Sequence, residues 1–349
     1  MVAPVNVGGR TVGEGAPCFV IAEAGVNHNG SVETACRLVD AAREAAADAV
    51  KFQTFIADQL ATPDAPKAEY QRETTGAGQS QLEMLRSLEL SEAAHQEILA
   101  HCRRRGILFL STPFDEASAD LLDAMVPAFK ISSGDLTNSG FLAHIARKGK
   151  PILLSTGMAH LAEVEQAVAT IREAGNQDIV LLQCVTNYPA APADVNLRAM
   201  RTMADAFHVP VGYSDHTVGN EVAFAAVALG ACVIEKHVTL SRDLPGPDHK
   251  ASIEPRELSE LVRGIRAVEA SLGTGSKEPA ASEAATAAVA RRSLVAAATI
   301  PAGGVLTDEA VTVRRPGTGL PPSMRAHVVG RTARVLIPKG TVISIEMLT

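Results

Sequence analysis

The residues YSDHTVGNEVAFAAVALGACVIEKHVTL, from Tyr213 to Leu240, follow one short apolar segment, Val209 to Gly212, and contain a second, Ala231 to Ile234. Each segment runs into a polar stretch with a histidine. The residues between them, Asn220 to Leu229, have the apolar spacing of a helix. A strand, helix, strand unit with parallel strands brings the carboxyl ends of both strands to one edge. We therefore expect His216 and His237 to lie close together.

Two imidazoles on rigid strands, with the carboxylates of Asp215 and Glu235 in the same polar stretches, can hold a divalent cation and leave coordination positions open. The alternative is that each histidine only caps a strand end through hydrogen bonds. Two protein ligands are also fewer than the three that usually hold a catalytic zinc. On the residues alone both interpretations stay open.

The same pattern of an apolar run with a polar end recurs along the chain. The runs are CFVIAE, DAVKFQT, ILFLSTPF, AFKISSGD, PILLSTGM, IVLLQCVTNYP, VPVGYSDHT and CVIEKHV, and helical stretches separate most of them. Continuous apolar strands that alternate with helices are typical of a parallel sheet with covered faces. A doubly wound open sheet would concentrate polar residues at one switch point. Because nearly every run ends in polar residues, the sequence favours a (β/α)8 TIM barrel.

The polar strand ends should meet on the carboxyl-terminal rim of this barrel, where barrel enzymes build their active sites. For any one of these residues an ordinary cap or loop contact is the simpler explanation, and the recurrence is what indicates a site. The rim residues are Glu23, Lys51, Gln53, Ser111, Thr112, Lys130, Ser133, Asp135, Ser155, Thr156, Tyr188, Ser214, His216, Glu235 and His237.

Two lysines, Lys51 and Lys130, end apolar strands, where an unpaired ammonium group would be costly to desolvate. Together with the rim hydroxyls they suit a phosphate or carboxylate ligand. Alternatively, each lysine pairs with an internal acid such as Glu23, Asp135 or Glu235. Both arrangements can hold in the empty protein.

The pattern changes after Leu272. Residues 273–290 are rich in small and polar side chains and are predicted to be a linker between a barrel domain, 1–272, and a small β-rich domain, 291–349. In that last domain the motif VRRPGTG places Arg314 and Arg315 in a glycine-flanked loop. This loop is either a solvated basic turn or a segment that reaches into an active site.

Composition excludes several classes of function. The chain has 349 residues, a formal net charge of -7 and 3% aromatic residues, which argues against binding to nucleic acid. Its five cysteines are scattered and without C-x-x-C spacing, as expected of reduced thiols. The sequence has no apolar run long enough to span a membrane and no recognisable signal peptide, so we expect a cytoplasmic protein.

Eight motifs resemble, in order, those of the sialic acid synthases and their legionaminic and pseudaminic acid relatives. They are IAEAGVNHNG, VKFQT, FLSTPFD, KISSGD, PILLSTGM, YSDHT, EKHVTL and PGPDHKAS. VRRPGTG is similar to the antifreeze-like (SAF) carboxyl-terminal domain of that family. The resemblance spans nearly the whole chain, and it implies a metal-dependent condensation of phosphoenolpyruvate with an N-acetylated mannosamine-type aldose that releases phosphate.

The resemblance also implies roles for individual residues. His216 and His237 correspond to ligands of Mn²⁺ or Mg²⁺, and Glu23 and Asp135 to acid–base groups. The positions that match phosphoenolpyruvate ligands are Lys51, Thr112, Lys130, Ser133, Ser155, Thr186 and Ser214. The positions that match the acceptor-sugar site are Glu23, Gln53, Tyr188, Asp248 and Arg315. Arg315 matches an arginine that one subunit inserts over its partner's barrel, which implies a domain-swapped homodimer.

Two positions depart from the family pattern. Asp135 stands where many sialic acid synthases have glutamate, and Thr186 stands where some members have asparagine. The VTNYP run is similar to the legionaminic branch, so an N,N'-diacetyllegionaminate or pseudaminate synthase is an alternative.

Two further functions fit the residues less well. An octulosonate-phosphate type synthase or metal aldolase could be built on the same barrel, but a phosphorylated acceptor would need an extra basic anchor beyond the lysines already assigned. A non-enzymatic carbohydrate-binding protein would rest on the tail domain only. It would not explain rim lysines beside paired histidines.

Overall fold

The computed structural model describes residues 2–76 and 78–349, which form two compact units, Met1–Gly273 and Thr274–Thr349. An antiparallel hairpin of β1 (Val5–Val7) and β2 (Arg10–Val12) comes first. Eight parallel strands follow: β3 (Phe19–Gly25), β4 (Ala49–Thr54), β5 (Leu108–Pro113), β6 (Phe129–Ile131), β7 (Ile152–Ser155), β8 (Ile179–Cys184), β9 (Val211–Asp215) and β10 (Val233–His237).

The eight strands form one sheet in the order β5-β4-β3-β10-β9-β8-β7-β6. The two end strands, β5 and β6, lie side by side, so the sheet curves into a barrel. All eight strands are the apolar runs named above, and the predicted (β/α)8 barrel is confirmed.

Helices separate the strands and cover the outside of the barrel. In the first unit they are α1 (Val32–Glu44), α2 (Ala57–Leu60), α3 (Glu69–Thr75), α4 (Gln81–Leu88), α5 (Glu92–Arg105), α6 (Glu116–Asp123), α7 (Ser139–Ala146), α8 (Leu161–Glu173), α9 (Arg198–Phe207), α10 (Glu221–Ala228) and α11 (Pro255–Leu272). Helix α5 begins after Ser91, whose hydroxyl accepts a hydrogen bond from the Ala94 N–H in the first turn. No helix in the described ranges is long and apolar enough to cross a membrane.

Two apolar cores lie on the two faces of the sheet. The larger one packs the strands against the helices, and the smaller one fills the amino-terminal end of the barrel. Val5, Val7 and Val12 of the hairpin belong to the smaller core, so β1 and β2 plug that end of the barrel. The opposite end, where the strands finish, is left for polar side chains.

The second unit is small and rich in short strands and turns. Its elements are α12 (Ala284–Ala290), β11 (Ser293–Ala296), β12 (Val311–Arg314) and α13 (Arg325–Val328). The two strands are antiparallel, and isolated bridges such as Ile300 with Ile337 hold the loops around its own apolar core. Helix α12 falls within the residues predicted to be a linker, where a run of alanines favours helix.

Candidate active site

The pleat of each strand decides which side chains enter the barrel. On β10, Val233 belongs to the inner core and Ile234 to the outer core, so with a period of two Glu235 and His237 point inward and Lys236 points outward. The same alternation on the other strands brings a set of polar side chains into the carboxyl-terminal end of the barrel. The inward positions are Glu23, Lys51, Gln53, Thr112, Lys130, Ser155, Cys184, Ser214, Glu235 and His237.

Lys51 sits at the centre of the first half of this site. Its Nζ lies 2.7 Å from the Glu23 carboxylate and donates a 2.9 Å hydrogen bond to Thr112 Oγ1. A second carboxylate, Glu235, lies 3.7 Å from the same nitrogen. The register explains the contacts, because Glu23 pairs with Lys51 across β3 and β4. The lysine that sequence reasoning placed here therefore does meet internal acids.

Lys130 forms the second half. Its Nζ donates to Ser155 Oγ at 2.7 Å and to the Ile131 carbonyl at 3.0 Å, and it lies 3.7 Å from Glu235. Ser214 donates a 3.1 Å hydrogen bond to Glu235. Glu235 thus bridges two buried lysines, and all three side chains are nearly inaccessible to solvent.

The two carboxylates differ in their protonation. Burial raises the pKa of Glu23 to about 7, and the neighbouring Glu235 adds to this effect, although Lys51 opposes it. Burial would also raise the pKa of Glu235, but Lys130 and Lys51 outweigh it and hold that pKa below its usual range. Glu235 is therefore the permanent counter-ion of the lysines. Glu23 is the carboxyl group that can exchange a proton near neutral pH.

The two predicted histidines come together as expected. The ring centroids of His216 and His237 are 5.4 Å apart, with an angle of 59° between the planes. His216 Nδ1 is 2.7 Å from the Val185 carbonyl oxygen, so Nδ1 carries the proton and donates it in this hydrogen bond. In the neutral ring, Nε2 then has a free lone pair. His237 Nδ1 is buried and has no hydrogen-bond partner in residues 2–76 and 78–349, and Asp248 lies 4.0 Å from it.

These donors suit a divalent cation. Burial and the nearby His216 hold the pKa of His237 well below its usual range, and the neutral imidazole is the form that binds metal. Within the described residues, however, no group of three or more His, Cys, Asp or Glu side chains is arranged to hold a metal ion. A cation here would rest on two imidazoles, with its other positions left to water or substrate.

A stack of aromatic rings flanks the histidines. The Tyr188 ring lies 4.1 Å from His216 and 5.5 Å from His237, measured between centroids. On its other side, Tyr70 of α3 lies 5.1 Å from Tyr188. Asp248 is buried nearby, and burial raises its pKa to about 6. This side of the site is less charged than the lysine side.

Gly157, in the loop after β7, is closely packed against two hydroxyl groups from the loops after β6 and β8. A methyl group on Gly157 would clash with Thr186 Oγ1 and Ser133 Oγ, and Ser133 Oγ accepts a 2.9 Å hydrogen bond from the Gly157 N–H. Thr186 Oγ1 is buried without a hydrogen-bond partner among the described residues. Glycine at 157 therefore lets both hydroxyl groups approach the backbone closely.

Some of the predicted site residues lie apart from the charged cluster. Asp135 accepts a 2.6 Å hydrogen bond from Ser132 and makes no ion pair with Lys130. Arg315 belongs to the second unit, where its Nε donates to the Ala290 carbonyl and its side chain is exposed. Gln53, in contrast, lies beside the cluster: it points inward, and its amide nitrogen is 3.5 Å from Glu23 Oε1.

Two rim residues were placed on the wrong face by sequence reasoning. Asp215 points away from the histidines and pairs with Lys236 outside the barrel. Ser111 also faces outward, where it shares a hydrogen bond with Thr54. Each lies one residue away from an inward-facing neighbour, His216 and Thr112, so the error is one of parity along the strand.

Two protein-family models match this chain. Residues 38–277 match the NeuB family, and residues 291–349 match the SAF domain. The chain belongs to the NeuB family. The family expected from the motifs is thus confirmed, together with an enzyme of the sialic acid synthase class and its SAF domain.

Relatives of this NeuB protein match over nearly their full length. The N,N'-diacetyllegionaminic acid synthase of Legionella pneumophila is 47% identical over 334 residues, which are 94% of each chain. The N-acetylneuraminate-9-phosphate synthase of Homo sapiens is 36% identical and covers 97% of this chain and 95% of its own. The crystal structure of the N-acetylneuraminic acid synthetase of Leptospira borgpetersenii, bound to citrate, has a TM-score of 0.72 at 34% identity. It covers 82% of this chain and 95% of that one.

Sequence reasoning gave too little weight to two residues of the NeuB site. Glu235 was named only as one acid among several, although it contacts both lysines. Tyr70 was not named at all, because it lies on a short helix, α3, in the long insertion between β4 and α5. The signal that could have found it is an aromatic residue in a long insertion after a strand end, where binding loops often lie.

Proposed function

We propose that this enzyme condenses phosphoenolpyruvate with an N-acetylated mannosamine-type aldose to give a nonulosonic acid and inorganic phosphate. The observation that carries the proposal is the Lys51–Glu235–Lys130 cluster at the same end of the barrel as the paired histidines. Such a site offers cations to an enol phosphate and donors to a carbonyl oxygen. The names of the relatives support the same reaction class.

Phosphoenolpyruvate carries a carboxylate and a phosphate, and the lysine side of the site suits both. Lys51 and Lys130 are buried and already hydrogen-bonded, so they are held in place before a ligand arrives. Fixed cations in a water-poor site stabilise developing negative charge without reorganising. The predicted ligands of this substrate are Lys51, Thr112, Lys130, Ser133, Ser155, Thr186 and Ser214.

His216 and His237 would hold Mn²⁺ or Mg²⁺. When bound, this ion supplies Lewis-acid polarisation of the aldehyde oxygen. The remaining predicted acceptor residues are Glu23, Gln53, Tyr188 and Asp248, and Arg315 is predicted to reach the barrel of the other subunit in a domain-swapped dimer.

The reaction then follows from the placement of these groups. The enol carbon of phosphoenolpyruvate attacks the aldehyde carbon of the sugar, which forms the new C–C bond and leaves positive charge on the second carbon of phosphoenolpyruvate. The former aldehyde oxygen takes up a proton and becomes a hydroxyl group, and water adds at the second carbon of phosphoenolpyruvate. The added hydroxyl then loses its proton as the C–O bond to phosphate breaks, which gives the ketone and inorganic phosphate. Glu23, with its pKa near 7, is placed to take the proton from this water. Asp135 is the alternative base.

The acceptor is the finer part of the proposal. An N,N'-diacetylated sugar is the alternative to N-acetylmannosamine, and the relative from Legionella pneumophila bears the name of a diacetyllegionaminic acid synthase. A pseudaminate precursor is a further alternative. The domain-swapped dimer and the cytoplasmic location stay predictions from the sequence.

The test is phosphate release from phosphoenolpyruvate across a panel of free mono- and di-N-acetylated hexoses. We expect release with one class of acceptor, loss after dialysis against a chelator, and recovery with Mn²⁺. Lys51→Met should abolish release, while Lys339→Met, an exposed lysine of the second unit, should not. Full activity after rigorous removal of metal would contradict the histidine assignment, and no release with any acceptor would contradict the function.

A further inference from the structure

We infer that Tyr70 is a positioning residue for the acceptor sugar, acting through Tyr188, and that it helps to set which amino sugar the enzyme accepts. The inference rests on the proposed function. Its basis is a continuous stack of three rings: Tyr70 lies 5.1 Å from Tyr188 at an angle of 32°, and Tyr188 lies 4.1 Å from His216. A displacement of Tyr70 therefore changes the support behind a ring that lies against both histidines.

Helix α3, which carries Tyr70, connects two loops of the rim. Thr74 Oγ1 donates a 3.3 Å hydrogen bond to the Pro247 carbonyl, next to the buried Asp248. Lys67 Nζ donates to Thr75 Oγ1 at 3.0 Å and to the Gly76 carbonyl at 3.2 Å, which fixes the carboxyl end of the helix. The helix thus forms a wall between the loop after β8 and the loop after β10.

This wall contributes little to the core of the protein. The structure describes every residue of α3, and none of them is fully buried. The Tyr70 hydroxyl accepts a 3.3 Å hydrogen bond from its neighbour Gln71, and its ring has Tyr188 as its aromatic partner. A half-buried ring on a surface helix that contacts a site residue is placed for binding rather than for folding.

The position of the stack assigns its effect to one substrate. Ligand pockets combine aromatic walls with a few polar groups that set orientation, and here the polar group next to α3 is Asp248. The lysines that suit phosphoenolpyruvate contact Glu23, Glu235 and hydroxyls, and none of their ion pairs or hydrogen bonds within the described part of the chain involves Tyr70. Changes at Tyr70 should therefore affect the sugar and leave phosphoenolpyruvate unaffected.

The experiment compares Tyr70→Leu, Tyr70→Ala and Tyr70→Phe with the wild type, and Glu73→Ala serves as the control because Glu73 is an exposed residue of the same helix. KM and kcat are measured separately for phosphoenolpyruvate and for two acceptors, one mono- and one di-N-acetylated. An aromatic pair of this kind corresponds to a change of roughly 2- to 10-fold in an equilibrium constant. We expect Tyr70→Leu and Tyr70→Ala to raise the sugar KM by about that factor, with the KM for phosphoenolpyruvate within twofold of the wild type.

Further outcomes separate positioning from general damage. Tyr70→Phe keeps the ring and should behave as the wild type, and the ratio of kcat/KM for the two acceptors should shift in Tyr70→Leu but not in Glu73→Ala. An unchanged sugar KM in Tyr70→Leu, or an equal rise in both KM values, would overturn this inference while leaving the proposed function intact. A wild-type protein that releases no phosphate with any acceptor would overturn both.

Discussion

Replacement of Glu235 by glutamine tests the charge balance of the site. Glu235→Gln keeps the shape of the side chain and can still accept the hydrogen bond from Ser214, but it removes the charge between the two lysines. Each lysine nitrogen lies 3.7 Å from a Glu235 oxygen. Two unit charges at that distance attract by about 4 kcal/mol in an effective dielectric of about 20.

Burial of the carboxylate offsets several kcal/mol of this attraction, so the cost of the change depends mainly on the charges left behind. Removing one partner of a buried pair typically costs about 3–5 kcal/mol. Because Lys51 keeps Glu23 as a partner, we expect the lower end, a loss of about 3 kcal/mol in the free energy of unfolding. For a chain of this size the thermal midpoint should fall by roughly 4 °C.

The same substitution should strengthen the binding of phosphoenolpyruvate, although it weakens the fold. With Glu235 neutral, the anionic groups of phosphoenolpyruvate would meet two cations that lack their shared counter-ion. Saturating phosphoenolpyruvate should therefore raise the thermal midpoint of Glu235→Gln by more than it raises that of the wild type. Glu278→Gln, an exposed position, is the control and should match the wild type in both measurements. A ligand-induced rise in Glu235→Gln no larger than in the wild type would refute the reasoning.

Two further predictions follow from the geometry. Gly157→Ala should raise the KM for phosphoenolpyruvate roughly tenfold, because its methyl group would displace Thr186 and Ser133, two predicted ligands of that substrate. Gly140→Ala on α7 is the control, because its methyl group would meet only Asn138 Oδ1, at 3.9 Å; equal KM values in the two variants would contradict the role of the two hydroxyl groups. Burial lowers the pKa of His28 from 6.5 to about 4, so below pH 6.5 the unfolded chain binds a proton that the folded chain does not. Stability present above pH 6.5 is then lost as the pH falls toward 4, by up to about 3 kcal/mol. His28→Asn should flatten this slope in denaturant titrations at pH 7 and 4.5, and an unchanged slope would count against it.

Much of the barrel could be predicted from the sequence because its strands are short, apolar on both faces and ended by polar residues. That pattern has few other structural explanations. The hairpin β1–β2 was missed since its strands have only three residues each and belong to the core only through Val5, Val7 and Val12. So short a stretch carries no sequence pattern that predicts a hairpin closing the end of the barrel.

The insertion between β4 and α5 contains three short helices, α2, α3 and α4. Its helices pack locally, with Leu82, Met84 and Leu88 in a small core of their own. One signal could have been read: Ser80 and Glu83 form a capping box at the start of α4. Helix α3 has no comparable sequence signal, and Tyr70 was therefore not predicted as a site residue.

The sequence does not show which face of a buried strand each polar side chain occupies, and this limits the prediction of a site. Glu235 and Lys236 are adjacent in sequence, yet one lies between the active-site lysines and the other pairs with Asp215 behind the sheet. Both pairs neutralise buried charge, so composition and spacing do not distinguish them. The distinction depends on which residues of each strand enter the inner core, to which the hairpin valines also belong.

This placement explains how two lysines can remain buried in the absence of a ligand. Glu235 stays ionised because both ammonium groups hold its pKa down, whereas burial brings the pKa of Glu23 to about 7. The cluster is therefore close to charge balance with only part of Glu23 ionised. An arriving anion would further disfavour the ionised form of Glu23, since like charges in a buried site raise each other's proton affinity. The same carboxyl group that completes the resting ion pairs is thus the one whose protonation responds to ligand binding, and it can take a proton from water only in the ionised fraction.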